Sequence, residues 1–458
     1  MSTLKPYAVP TLVFGILLAS AVSAQAATLR VTTTEDSYDG TCNSHCSLRD
    51  AVTAANRRSG TDRIVLLDGT YELSRENPLD EDGNPNEEDR NRRGDLDVTG
   101  KLLISGTSLA ESVISGLIND RLFEVRAGAQ LTLERLTLRG GNSVKNGGAV
   151  ENHGALELRE VLVKDNNVTP WEPGLIGGDR FHDGRGGGIA NYGKLIVTKS
   201  QFRSNKAHRL YHDHRSGYGG AIYSNGSMLI EDSLFQENSG FVAGSAIYST
   251  GLARIERSSI LDHPHVAEGG AITNEGGTLY LLNSTLSGNR FSLTNGFYDE
   301  MPEQSKAILT NVTITRDICE RYYYCYPAVV NGGSLRIYNS IIAGNRSIIQ
   351  GTERPNNCTN VGSNYRYQAV GLLINDEPND CTGDFYVPLA ETFTRVLSEQ
   401  LQNENERVAV HPLLPGSPAV DTGIGTCIDH DQRGVSRPQD GNGDGLAVCD
   451  LGAYELKP

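Results

Sequence analysis

The chain reads as all-β, a right-handed parallel β-helix. Three observations lead there: a segment pattern that recurs eight times between Gln130 and Asn345, a Gly-Gly strand start that recurs between the copies, and 51 glycines against three Met and one Trp. The copies begin at Gln130, Ala155, Lys194, Ser227, Leu252, Thr278, Lys306 and Ser334. Each runs apolar, any, apolar, a few mixed residues, apolar again, and then a turn that mostly ends in Asn. A short period of this kind is the mark of a solenoid of about eight stacked coils, each one supersecondary unit that buries its face only against its neighbours.

Within the copies the second and fourth positions are mostly apolar and alternate with other residue types: Leu131 and Leu133, Leu156 and Leu158, Leu195 and Val197, Met228 and Ile230, Leu279 and Leu281, Leu335 and Ile337. A period of two marks a strand with one buried face. The ninth position, from Leu138 through Phe202 and Phe235 to Ile342, is apolar in every copy and marks a second strand. A third begins at Gly147, Gly186, Gly219, Gly244 and Gly269, and these starts lie 39, 33, 25 and 25 residues apart. The minimum coil is therefore about 25 residues, and longer intervals are loops inserted into it. The leading glycines fit a corner that needs positive φ or close approach to the next coil. Asn142, Asn166, Asn205, Asn238, Asn289 and Asn345 close the second strand, and stacked at one corner their amides can form a structural ladder along the axis.

The ends of the chain set its compartment and its caps. Lys5, an apolar run from Tyr7 to Val22 and the small-residue stretch to Ala26 read as a signal peptide over residues 1–26, cut after Ala26. No other segment is apolar enough to span a bilayer, so the mature chain is expected to be secreted or held at the cell surface. Eight cysteines in an exported chain then read as disulfides. Cys42 with Cys46 and Cys319 with Cys325 are local pairs, and Cys358 with Cys381 and Cys427 with Cys449 follow by proximity. With 41 basic and 56 acidic residues the formal charge is −15 and no basic stripe is present, so nucleic acid is not an expected partner. Cys46-Ser47-Leu48 through Asn56 reads as a short amphipathic helix that plugs the first coil, with Ser47 its N-cap.

That helix carries a family resemblance. CSLRDAVTAAN is similar to the CSLREA domain, with Asp50 in place of the usual Glu, and GDLDVTG from Gly94 continues the likeness. HPLLPGSPAVDTG from His411, DQRGVSRP from Asp431 and CDLGAYE from Cys449 resemble the choice-of-anchor Q region that follows such β-helices. The resemblance implies an exported, bacterial, pectin-lyase-like β-helix and no agreed activity. Its organisation would be a cap with the first strands over 27–100, coils with insertions over 101–390, and a separate C-terminal module over 391–458.

Loops on a rigid scaffold are where binding and catalysis usually lie. Long insertions span 167–185, 206–218 and 290–305, with a shorter one at 318–326, all leaving at one register, so they should crowd into a wall on one flank. The first two carry Arg180, His182, Tyr211, His212, His214 and Arg215. Three readings stay open for them: a metal site of imidazoles with Asp183 or Asp213, an acid-base site in which an arginine neutralises a substrate carboxylate while His or Tyr moves a proton, and a plain solvated surface. Phe297, Tyr298, Tyr322, Tyr323, Tyr324 and Tyr326 suit stacking on sugar rings, a protein interface, or packing onto the flank.

Asp440, Asn442 and Asp444 match the opening of a calcium loop, although Leu451 stands where a bidentate Glu belongs. No cofactor is required, and calcium is the one ion for which the sequence offers a loop. Neither the Asp-Asp and Gly-His-Gly pair expected of polygalacturonases nor the Arg-x-Pro-x-x-Arg of pectate lyases occurs, and Asp262-His263-Pro264-His265 reads as a variant corner. The first expectation is thus a monomeric β-helix that binds glycan or a surface partner through its loops. The alternative is a lyase or glycoside hydrolase acting on acidic polysaccharide.

Overall fold

The structure, a computed structural model, describes residues 26–78, 88–169, 184–208, 217–263, 269–296, 304–321, 325–376, 380–405 and 408–458. It is a parallel β-helix. The first strands of the eight copies pair in parallel and in register, so that Leu131, Leu156, Leu195, Met228, Ala253, Leu279, Ala307 and Leu335 form one inward row. On the second face the ninth positions stack likewise, with the rings of Phe202 and Phe235 parallel at 4.7 Å. The third face is built from the segments after the glycine pairs: Val150, Ile189, Ile222, Ile247, Ile272, Leu293 and Val329 point inward. These rows are fully buried and form one continuous core.

The coils extend beyond the eight copies. On the first face Thr28–Arg30, Thr61–Val65 and Lys101–Ser105 precede them and Arg366–Asn375 follows, each pairing in parallel with the next. A fourth element also appears, in which the two-residue strands Asn142–Ser143, Asn167–Val168, Lys206–Ala207 and Ser239–Gly240 pair where the long insertions leave.

Two corners of the coil are held by polar ladders. At the bend between the first and second faces a residue with positive φ recurs, as at Lys199 (49°), Asp232 (50°) and Arg257 (47°), and a serine follows each. Ser200, Ser233 and Ser258 then donate their backbone N–H to the serine hydroxyl of the next coil, which satisfies a donor that the bend takes out of the sheet. At the next corner, Asn166 donates to Asn205 and Asn205 to Asn238, each amide bond 2.9 Å long. Each of these amides also donates to a carbonyl near the end of the strand of the preceding coil, that of Leu138 or Val163.

The ladder departs from the sequence reading at three rungs. Asn142 is not in it, because the extra glycine in that copy puts Gly141 on the rung, where its N–H meets Asn166 Oδ1 at 3.0 Å. His263 and Asp317 fill the two copies that lack Asn, so the Asp262-His263 segment is the variant corner that was expected. A second ladder, which the sequence reading missed, runs inside the third face from Asn152 to Asn191 and from Asn274 through Asn295 and Asn331 to Asn360.

The glycine pairs do both jobs expected of them. Gly186 sits at φ +68°, and a methyl group on Gly187 would overlap the carbonyl of Gly220 in the next coil.

The helix Leu48–Asn56 covers the first coil. Ser47 Oγ accepts the Asp50 N–H at 3.0 Å, and Asp50 in turn accepts the N–H groups of Asp39 and Gly40. Arg49 is fully buried, pairs with Asp36 at 2.7 Å and donates to the carbonyls of Gly94 and Asp95, so the two N-terminal motifs meet in one clamp.

Residues 391–405 and 408–458 lie along the outer surface of the second face. Val396, Leu397, Leu413 and Leu451 share an apolar cluster with Ile341 and Leu373 of the coils. Ser259 and Ala409 exchange hydrogen bonds, Gln432 bridges Ser259 and Thr285, and Ser287 Oγ donates to His411 Nε2 at 2.8 Å. The four disulfides are the expected ones: Cys42–Cys46, Cys319–Cys325, Cys358–Cys381 and Cys427–Cys449.

Candidate functional site

Alternation along a first-face strand turns every second side chain away from the core, and in-register pairing lines those side chains into columns parallel to the axis. One column runs Leu252, Thr278, Lys306, Ser334, Arg366, and the column beside it runs Leu229, Arg254, Tyr280, Ile308, Arg336. Toward the C-terminal end the two columns line a groove of about 770 Å³, to which Asn364 also contributes.

The groove is cationic. Arg254 is neutralised by Glu256 at 2.7 Å, whereas Lys306, Arg336 and Arg366 have no carboxylate partner among the described residues. Tyr280 is 37% exposed, so an aromatic edge stands beside the cations. Three unpaired positive side chains on one open surface of a chain with formal charge −15 are an arrangement that intramolecular pairing does not explain. Tyr with Arg and Lys can stack on a sugar ring and neutralise its carboxylate. The described lining contains no carboxylate or imidazole.

A second cluster of ionisable groups sits outside the third face, at the feet of the first two insertions. Arg121, with a side chain 3% exposed, ties Asp95, Glu124 and Glu151 together at 3.0 to 3.4 Å. Burial holds Asp97 up at about 7, against the ion pair with Arg126 that lowers it, and raises Asp95 well above the carboxylate range. His153 Nε2 lies 3.2 Å from Glu151, and its ring stacks on Tyr192 at 4.9 Å. Desolvation raises the Tyr192 phenol, which therefore stays protonated, and Arg185 lies over the Tyr223 ring at 4.8 Å.

The residues singled out from sequence are placed as follows. Arg180, His182, Tyr211, His212, His214 and Arg215 lie outside the described residues, as do Phe297, Tyr298, Tyr322, Tyr323 and Tyr324. The feet of the first two insertions do meet, because Arg185 bridges both Asn146 and Tyr218 in parallel. Tyr326 packs against the buried ring of Phe291 at 5.5 Å, next to the Cys319–Cys325 bond. In the calcium-like loop, Asp440 accepts the N–H groups of Asp444 and Gly445, and Asn442 accepts that of Asp444. Among the described residues no three His, Cys, Asp or Glu side chains form a group that could hold a metal.

No family model matches the chain, and no curated protein does. Solved structures do. A PL6 family alginate lyase, AlyGC, is 11% identical with a TM-score of 0.36 over 84% of this chain and 55% of its own. The A-module of the mannuronan C-5 epimerase AlgE6 from Azotobacter vinelandii is 11% identical with a TM-score of 0.33, over 72% of this chain and 94% of its own. A mannuronic acid specific family 6 lyase from human gut microbiota is 12% identical with a TM-score of 0.29, over 71% of this chain and 83% of its own. The chain spans about half the length of AlyGC.

Sequence reasoning missed Tyr280, Lys306, Arg336 and Arg366. The signal was there: they stand at the first or third position of successive strands, the outward positions, which were read only as spacers between the apolar ones.

Proposed function

We propose that this is an exported β-helix protein that binds an acidic polysaccharide in the groove of its first face. The observation that carries the reading is the row of Lys306, Arg336 and Arg366, unpaired among the described residues, with Tyr280 at one end of it. The four disulfides support export to an oxidising compartment where polysaccharides are found.

A second reading, a lyase or hydrolase for the same class of polymer, is favoured by one observation, the stacked His153 and Tyr192 beside Glu151. There the imidazole would take a proton and the protonated phenol would give one.

One experiment tests both readings. The mature protein is titrated with acidic and neutral polysaccharides at low and physiological salt, while new reducing and unsaturated ends are followed. The binding reading predicts saturable binding of acidic polymers only, weakened by salt, with no product and about a 3- to 10-fold loss for Arg336→Ala. Product that disappears in His153→Ala would replace it with the catalytic reading, and equal binding of neutral polymers would overturn it.

A further inference from the structure

The positions of the three cations carry more than their sign. Lys306 lies in the first outward column, Arg336 in the second column one coil on, and Arg366 back in the first column one coil further. The pairing is in register throughout, so the charges zigzag along the axis. Each step rises about 4.8 Å between coils and crosses about 6.6 Å between alternate residues of a strand, so successive cations are anchored about 8 Å apart. Lys306 and Arg366 are then about 9.6 Å apart on the same side. Tyr280 continues the zigzag, since it stands in the second column one coil before Lys306.

Resting on the binding reading above, we infer that the groove is built for a linear polyuronate with two-fold symmetry, lying parallel to the helix axis with one sugar per coil. In such a ribbon each sugar is turned half a revolution from the last, so successive carboxylates leave on opposite sides. Lys306, Arg336 and Arg366 meet three successive carboxylates in turn, and Tyr280 stacks on the sugar that precedes them. The intervening side chains, Ser334 and Ile308, are short or apolar and leave room for the ring faces. A row of cations in one column would instead suit a polyanion whose charges all face one way.

A charge-neutral swap separates this register from simple attraction. In the double variant Ser334→Arg with Arg336→Ser, the net charge is kept and all three cations stand in one column. Both positions face outward, and unchanged circular dichroism and melting temperature confirm the fold. The probes are β-1,4-linked oligoglucuronates of two to six sugars, with neutral cello-oligomers of the same backbone as control. Affinity should rise steeply up to three or four sugars and then level off, the neutral series should bind at least about tenfold more weakly, and the swap should cost about fivefold or more. If the swap binds as tightly as the native protein while Arg336→Ala loses affinity, the register inference is overturned and anion binding stands. If no acidic polymer binds at all, both readings fall.

Discussion

Single rungs of the Asn ladder have strict requirements, and His263 shows them best. An amide rung accepts a hydrogen bond from one neighbour and donates one to the other. His263 lies 3.3 Å from the Asn238 amide through Nε2 and 3.0 Å from Asn289 Oδ1 through Nδ1, so the network assigns it the neutral Nδ1–H tautomer. Burial lowers its pKa to about 4, against the Asn289 bond that raises it. The unfolded chain therefore binds a proton that the folded chain refuses between about pH 6.5 and pH 4, and the contribution of this rung, complete above that window, is lost as pH falls through it. His411, also held at about 4 by burial, acts in the same sense. Asp97 and Asp450, each raised to about 7 by burial, act in the opposite one, since their contribution is lost as pH rises through 7. The single-site difference is the clean measurement. His263→Asn restores an amide rung and should leave stability at pH 7 within about 1 kcal/mol of native, while urea melts between pH 6.5 and 4 should show a flatter decline. A variant as acid-sensitive as the native chain would contradict the rung assignment.

At the scale of elements, a buried ion pair stands inside each terminal motif. Arg437 and Glu455 meet at 2.9 Å with side chains fully buried, and Arg437 also donates to the carbonyls of Asp450 and Gly452. The DQRGVSRP and CDLGAYE segments are thereby closed into one knot, just as Arg49 joins CSLRDAVTAAN to GDLDVTG. Removing one partner of such a pair leaves an uncompensated buried charge, which costs on the order of 3–5 kcal/mol. Glu455→Gln should therefore loosen the C-terminal residues from the second face, seen as faster proteolysis between Val408 and Pro458 with the coils resistant. Unchanged digestion would place the anchoring elsewhere.

This is also where the sequence was least legible. Periodicity exposed the coils because their partners recur at regular intervals. The contacts of Gln432 with Ser259, or of His411 with Ser287, join residues more than a hundred positions apart and leave no local pattern. The Asn142 rung was misread for a related reason, since one inserted glycine shifts a turn without disturbing the strands around it.

For the whole molecule, eight in-register copies turn a linear pattern into surfaces, and function follows from which surface is considered. The inward columns were legible because hydrophobicity announces them. The outward columns are legible only once the register is known, which is why the insertions drew attention first and Lys306, Arg336 and Arg366 did not. A net charge of −15 makes the cationic groove an exception on its own protein; salt screens the long-range repulsion as well as the local attraction, so the weakening of binding by salt should be shallower than three cations alone would give. The most direct test of the account is a crystal structure of the mature protein soaked with an acidic oligosaccharide. Sugar density is expected along the first face, over Tyr280 and between Lys306, Arg336 and Arg366. Density confined to the flank where the insertions leave the coils, with the groove filled by solvent alone, would contradict it.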